Sequence, residues 1–283
     1  MIDLHTHSTA SDGTLAPSTL VDLAAEKSLT AIALTDHDTV AGIEPATARG
    51  KLNGVQVVPG LEISVRSSAG AMHILGYYVR AEDSSLQQHL AAWCASRQER
   101  ARRMVARLNE LGFAISYQGV EALAGSDSIG RPHVARALME AGAVRSVAEA
   151  FERYLRRGRP AFVPREMPEP EEGIGAIKAA GGVAVLAHPS TLGLKGEELA
   201  ACVKDLKDCG LDGIEVHWSG HSASQRAVFT QLAQHLSLLE TGGSDFHGDN
   251  KPGIELGTGR RGNVRVPDSV LEKLRERAAV QAV

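Results

Sequence analysis

The chain has 283 residues, 43% of them hydrophobic, 23% charged and 4% aromatic, a globular composition that excludes disordered, collagen-like and coiled-coil classes. Its length suits one large domain, or one domain carrying an insertion. A net charge of -4 disfavours long polyanions as partners; with no eighteen-residue apolar run and a polar N-terminus, neither a membrane span nor a signal peptide is expected, and the cytoplasm is the default.

With so few aromatics the core must be built from Ala, Val, Leu and Ile, which suits parallel strands covered by helices. A first apolar run over 2–5 predicts a strand, and 18–27, led by Pro17, a helix. Strands follow at 31–34, 55–58 and 72–78, with a helix over 42–52. Between about 86 and 162 the rhythm changes to consecutive helices without a strand. Leu90, Trp93, Met104, Leu108 and Leu111 recur there at helical spacing, with Gly112 as a stop, and 131–157 repeats the habit in shorter pieces. Pro160, Pro164, Pro168 and Pro170 mark the return linker. Beyond it, strands at 183–187, 213–216 and 238–241 alternate with helices at 171–180, 196–209, 222–235 and 268–279, the last led by Pro267. Seven strands in repeated βα units predict an α/β barrel with parallel strands, from 1–85 and 165–283, interrupted by a small helical insertion at 86–164. Cys94, Cys202 and Cys209 lack metal-ligand spacing; the last two share one helical pattern, which favours buried thiols over disulfides.

Chemistry concentrates at the strand ends. The first strand closes on His5-Thr6-His7, and alternate residues of a strand point the same way, so both imidazoles can face one ion. Asp12 follows in the next loop. The second strand ends in Thr35-Asp36-His37-Asp38, the third runs into Glu62, the fourth carries His73, and a later one ends in Ala187-His188-Pro189. In Gly243-Ser244-Asp245-Phe246-His247, after the last strand, Asp245 and His247 share a face. A lone histidine after a strand is usually structural. Here six of the eleven histidines gather at one end of successive strands, where barrel enzymes place their sites. Asp12, Glu62 and Asp245 would singly read as turn or capping carboxylates, but each accompanies a histidine in the same layer. His89 and His235 read as ordinary helix residues.

Four blocks, DLHTHSTASDG at 3–13, LTDHD at 34–38, PGLEIS at 59–64 and GGSDFHG at 242–248, resemble the PHP (polymerase and histidinol phosphatase) superfamily of metal-dependent phosphoesterases. His73 and AHP at 187–189 complete the pattern, which spans roughly 1–85 and 165–265. The resemblance implies a distorted, TIM-like seven-stranded barrel holding two or three divalent ions. It implies one ion on His5, His7, Glu62 and Asp245, a second bridged by Glu62 and held by His73 and His188, and a third on Asp12, His37 and His247. Some members carry Cys in place of His188, which bears on the choice of metal. Mixed imidazole and carboxylate ligands suit Mn, Fe or Zn, with Mn preferred. Asp36 and Asp38 read as residues orienting His37, or as loop acids.

Three divalent ions bring about +6 in charge and the three carboxylates return about -3, leaving a pocket suited to a phosphate dianion rather than a neutral amide. Metal coordination lowers the pKa of water toward ~7, which supplies a hydroxide for in-line attack on phosphorus. His188 and His217 are the candidate catalytic histidines. With His188 committed to a metal, His217, after the strand GIEVH, is the better candidate for a phosphate contact or a leaving-group proton donor; the bland alternative is a buried strand-end histidine. His221 is a weaker candidate. His37 and His247 are placed to touch phosphate as well. In the insertion, Arg97, Arg100, Arg102 and Arg103 crowd one helix, whose plain reading is a solvated face balanced by Glu99. Gly130-Arg131-Pro132-His133 opens another helix, where an arginine fork and free backbone donors bind phosphate. That segment resembles one found in small PHP phosphoesterases acting on nucleotides.

Within the superfamily, the size and the helical insertion resemble the branch that removes the 3′-phosphate from nucleoside 3′,5′-bisphosphates or trims short RNA from its 5′ end. The phosphatase, yielding a nucleoside 5′-monophosphate and orthophosphate, is placed first and the 5′-3′ exoribonuclease second. Histidinol phosphate phosphatase is a further enzymatic alternative, and a metal-bound nucleic-acid recognition module the non-enzymatic one. The full ligand set and the lack of a polymerase-sized remainder speak for a free-standing enzyme. The expected partner is a small phosphorylated nucleotide or a short RNA end, with no long nucleic acid and no membrane. Both leading reactions need two phosphate sites, one on the metals and one on Arg100, Arg131 and His133, so that the insertion measures phosphate spacing as a lid. No G-x-x-x-x-G-K-[ST] loop occurs.

Overall fold

Alternation along the strands sorts the apolar residues into two layers. The computed structural model describes residues 1–281, and its strands are β1 (Ile2–Thr6), β2 (Ala31–Leu34), β3 (Gln56–Val65), β4 (Met72–Tyr77), β5 (Val183–Leu186), β6 (Gly213–Trp218) and β7 (Leu239–Gly243). Leu4, Ala33, Val58, Leu75, Tyr77 and Val185 fill the interior, whereas Leu61, Ile63, Ile74, Leu186, Ile214 and Val216 pack outward against helices. The small Ala31 and Ala33 leave room for Tyr77, whose hydroxyl donates to the Leu4 carbonyl at 2.9 Å.

The strands pair in chain order, β1 to β7, but they are not all parallel as the sequence predicts. β4 runs antiparallel to both β3 and β5. Only residues 66–71 join β3 to β4, too few for the helical crossover that a parallel pair requires.

Between β1 and β7 the barrel is nearly but not fully sealed. Just beyond β7, Asp245 N donates to His5 O and His7 N to Phe246 O, each at 2.9 Å. Lower down the buried Asp3 carboxylate spans the seam, accepting from Ser244 N at 2.8 Å, Ser244 Oγ at 2.6 Å and Gly257 N at 2.7 Å. A Cβ on Gly243 would overlap the His5 backbone and this carboxylate, so the close approach requires glycine. The result is an α/β fold: a distorted seven-stranded barrel of mixed strands surrounded by helices.

Helices α1 (Pro17–Glu26) and α2 (Ile43–Asn53) cover the first strands, and α3 (Ser84–Glu110), α4 (Tyr117–Ala124), α5 (Arg131–Glu140) and α6 (Val147–Ala150) follow β4 in succession. The chain then returns through α7 (Pro170–Ala179), α8 (Gly196–Asp208) and α9 (Ala223–His235), and α10 (Asp268–Gln281) closes the barrel floor with Val270 and Leu274. The buried stripe of α3, Leu86, Leu90, Trp93, Arg97, Ala101, Met104 and Leu108, advances by three or four residues each time. Its first three members join the outer core of the barrel. Ala101, Met104 and Leu108 instead join a separate cluster with Val120, Val134, Leu138 and Leu155. Leu111, which the sequence places in this stripe, lies past the helix end and is exposed. All three cysteines are free; Cys94 is buried, but Cys202 is half-buried and Cys209 is exposed just past α8, against the expectation of buried thiols. No helix among the described residues is long and apolar enough to cross a membrane.

Candidate metal centre

The ends of the strands bring nine side chains to one rim. His5 lies in β1 and His7 just past its end, and His37, His188, Asp245 and His247 follow the ends of β2, β5 and β7. His73 reaches the same rim from the start of β4, because that strand is reversed. It pairs with Ser64 across the β3–β4 ladder, which puts it on the same face as Glu62, two residues along. An extension of the β2–β3 pairing sets His37 beside Glu62.

Glu62 is the hub. Its Oε1 lies 2.8 Å from His73 Nδ1 and 2.9 Å from His188 Nε2. The other oxygen, Oε2, lies 3.0 Å from His37 Nδ1, 3.3 Å from His7 Nε2 and 3.5 Å from His5 Nε2. Asp245 Oδ1 is 3.5 Å from the Nε2 atoms of both His5 and His7. Asp12 lies 3.3 Å from His247 Nε2 and 4.0 Å from His37 Nε2. Four overlapping groups can therefore hold a divalent ion: His7, Asp12, His37 and His247; His5, His7 and Asp245; His5, Glu62 and His188; His37, Glu62 and His73.

The chemistry of these atoms fits cations. His5 Nε2, His7 Nε2, His37 Nδ1 and Asp12 Oδ1 are buried without a hydrogen-bond partner among the described residues, a deficit that ligation removes. Burial, reinforced by neighbouring imidazoles, holds His7 well below the usual histidine range, and burial takes His37 down to about 4. Both are thus neutral at pH 7, the form that ligates metal. At Glu62 burial opposes ionisation, but the imidazoles of His37, His73 and His5 outweigh it and hold the carboxyl well below its usual range. Asp12 and Asp245 behave likewise, through His247 and His37 in one case and Lys251 and His5 in the other. His5 is raised, since the carboxylates Glu215, Asp245 and Glu62 overcome its burial; positive charge is favoured at this point of the cage. Asp38, His188 and Asp245 sit at positive φ (52°, 28° and 59°), backbone strain of the kind that gathers at functional sites.

Around the cage stand residues that the sequence reading does not assign. The buried Glu215 of β6 accepts from His188 N at 2.7 Å and lies 2.9 Å from His5 Nδ1. Trp218 Nε1 donates to Asp245 Oδ2 at 3.1 Å, and Lys251 Nζ lies 2.6 Å from the same oxygen. Neither Asp36 nor Asp38 orients the His37 ring. Asp36 accepts from Ser8 N, Ser8 Oγ and Ser11 Oγ, fixing the loop that carries Asp12. Asp38 is the counter-ion of Arg97, at 2.6 Å, and of Arg165, at 2.7 Å.

Arg97 is therefore not part of a solvated face. It occupies the buried stripe of α3, four residues from Trp93 and from Ala101, and that phase is the signal that separates it from Arg102 and Arg103. Arg100 is half-buried and its Nε donates to the Val163 carbonyl at 2.8 Å. Burial and the neighbouring Arg131, Arg97 and Arg165 push its pKa down to about 9. Arg131, at the start of α5, is lowered by burial and Arg97 while Asp12 acts to raise it. His133 is buried in the first turn of α5, where its Nδ1 accepts from Gly130 N at 3.0 Å. Ser128 Oγ donates to the His37 carbonyl, so the insertion is tied to the rim directly.

His217 is not brought to the cage. A bulge between Glu215 and His217 in the β6–β7 ladder reverses the alternation, so Glu215 and Trp218 face the cage. His217 lies beside Glu240 and Arg226 of α9, and burial lowers its pKa. His221 packs between Trp218 and Phe229, with Nδ1 on the Val216 carbonyl. His89 bonds the Ser85 carbonyl one turn back, as an ordinary helix residue.

A nearly closed barrel with a buried imidazole and carboxylate cage at its rim is the framework of a metal-dependent phosphoesterase. The chain belongs to the PHP family: the model of that family, described as PHP domain, matches residues 3–158. It is 37% identical over 245 residues to a 5′-3′ exoribonuclease of Haemophilus influenzae, covering 87% of this chain and 89% of that one. To a 3′,5′-nucleoside bisphosphate phosphatase of Chromobacterium violaceum it is 34% identical over 257 residues, covering 90% of each. A solved structure described as a metal-dependent phosphoesterase, from Bifidobacterium adolescentis, superposes with a TM-score of 0.89 at 34% identity, over 98% of this chain and 96% of that one.

Proposed function

We propose that the chain breaks the P–O3′ bond of a nucleotide bearing a 5′-phosphate, acting as a 5′-3′ exoribonuclease on short RNA. The observation that carries this reading is the group of arginines beside the cage. Arg97, Arg100, Arg131 and Arg165 act on one another as like charges, and Asp38 pairs with Arg97 and Arg165. A phosphate bound there would relieve the excess positive charge. The insertion, 86–164, is then a lid that holds the 5′-phosphate on Arg100 and Arg131 while the cage takes the scissile one.

We assign the cage as three sites: His5, His7, Glu62 and Asp245; Glu62, His73 and His188; and Asp12, His37 and His247. Manganese is the first ion to test. Divalent ions bound there would supply Lewis acidity and an acidified water. This chain's own part is to keep His7 and His37 neutral, to hold Glu62 ionised between the sites and to orient the substrate by its phosphates.

The phosphatase reading, placed first by the sequence alone, becomes the second reading, supported by the Chromobacterium relative; the higher identity to the Haemophilus enzyme favours the nuclease. The two differ little chemically. A nuclease releasing 5′-mononucleotides and a bisphosphate 3′-phosphatase break the same bond beside a 5′-phosphate, and only the nuclease's phosphorus carries a further nucleoside. Incubating manganese-loaded protein with a nucleoside 3′,5′-bisphosphate and with a 5′-phosphorylated oligoribonucleotide decides between them: mononucleotides support the nuclease, and orthophosphate alone the phosphatase. In either case Arg131→Ala should lower kcat/KM on these substrates by about 10- to 100-fold, as expected for a lost charge-assisted phosphate contact. Equal losses on a simple aryl phosphate would discredit the lid as a ruler.

A further inference from the structure

Asp245 has a second side. Its Oδ1 faces His5 and His7, whereas Oδ2 meets Trp218 Nε1 and Lys251 Nζ. On that second side opens a pocket of about 330 Å³, walled by Trp218, Lys251, Pro252, Ile254 and Arg260. The volume lies at the lower end of the range for small-molecule sites, enough for one nucleotide unit. Trp218 and Lys251 are partly exposed and Arg260 is exposed, and no carboxylate lies within ion-pair distance of the Arg260 guanidinium among the described residues. The floor is fixed, since Ser219 Oγ donates to the Ser244 carbonyl and Asn263 Nδ2 to that of Ser219. No residue of the insertion lines this pocket, so it adjoins a wall of the cage that the lid arginines do not form.

We propose that this pocket binds the nucleotide that follows the scissile phosphate, with its base against the Trp218 indole and its next phosphate on Arg260. The proposal rests on the exoribonuclease reading and adds a second subsite to it. An aromatic face beside a cation without an acidic partner, here Arg260, is the combination that holds single-stranded nucleic acid without reading its sequence. The phosphorus of a substrate cleaved at P–O3′ carries the downstream nucleoside on a substituent other than the one leading back to the 5′-phosphate. That nucleoside must leave the cage past a wall the lid does not occupy, and the pocket beside Asp245 adjoins one. A nucleoside bisphosphate has nothing to put there, so the pocket separates RNA from mononucleotide substrates.

The test compares kcat/KM for a 5′-phosphorylated trinucleotide with that for a nucleoside 3′,5′-bisphosphate, in the wild type and in Arg260→Glu and Arg260→Ala. The ratio of the two should fall about ten-fold in Arg260→Glu, the size of one lost charge-assisted phosphate contact, and in the same direction but less in Arg260→Ala. The salt dependence of the trinucleotide's KM should lose about one unit of log–log slope. Independently, a nucleoside 3′-monophosphate, which carries the phosphate meant for Arg260 and none for the lid, should quench Trp218 emission when titrated into the manganese-loaded protein, with Trp93 buried and unaffected, and Arg260→Glu should raise the concentration required. An unchanged ratio together with unquenched emission overturns the subsite. If neither substrate is hydrolysed, the reading beneath it fails, and the quenching still decides whether the pocket takes a nucleotide.

Discussion

Glu215 shows what one buried carboxylate can organise. Its two oxygens serve two donors, the His188 backbone N–H and His5 Nδ1, and thereby fix both residues at once. A backbone N–H can only donate, so a glutamine here must turn its oxygen to His188 and its amide toward His5. That reversal pushes the imidazole proton onto Nε2, the atom that faces Glu62 and Asp245. Glu215→Gln should therefore weaken divalent-ion affinity about 10- to 100-fold, the usual cost of losing a partner behind a ligand, read as metal bound per chain by equilibrium dialysis. Full metal content at limiting manganese would show that His5 needs no such support. The histidines were legible in the sequence because all but His73, which lies at the start of its strand, follow an apolar run, and imidazoles recurring at strand ends are hard to explain otherwise. Glu215 was legible too, in principle, as a lone charge in the strand GIEVH. The bulge after it misplaced only His217, because alternation puts residues 215 and 217 on one face and a ladder irregularity leaves no trace in spacing.

Among the elements, the decisive junction is where α3 meets the loop after β2. Asp38 binds Arg97 of α3 and Arg165 of the return linker, so one carboxylate clasps both stems of the insertion. Burial opposes its ionisation, but Arg97 and Arg165 outweigh that and keep it well below its ordinary value. A depressed carboxyl contributes stability that is complete above its unfolded pKa of about 3.9 and lost as the pH falls toward the folded value. Asp38→Asn should consequently cost about 3 kcal/mol at pH 7, leaving two buried guanidiniums without a counter-ion, and should flatten the loss of stability below pH 4. Urea denaturation at both pH values measures this; a variant as acid-sensitive as the wild type would exclude the clasp as the cause. Strand positions were readable here to within a few residues, β3 being longer at its far end. Direction was not, because a period of two is the same read either way. The clue lay in the brevity of 66–71, which allows a hairpin and forbids a crossover.

For the molecule as a whole, the reversal of β4 sets where the insertion stands. A strand running against its neighbours delivers the chain to the floor of the barrel, away from the cage. The segment that follows has to climb the whole outer wall, and α3, with 27 residues, extends about 40 Å. Its lower turns are keyed to the barrel by Leu86, Leu90 and Trp93, and its upper turns carry Arg97 and Arg100 past the rim. The helix thus works as a drive shaft, in which angular phase at the bottom dictates which way the top points. One alanine added after Ala95 would rotate everything above it by about 100° and raise it about 1.5 Å. Turnover of nucleotides should then collapse while hydrolysis of an aryl phosphate suffers far less, and nucleotide turnover undisturbed by the insertion would mean that the lid finds its bearing from the rim alone. Below the rim, then, α3 can gain or lose length only in whole turns if what it carries is to keep its bearing on the cage.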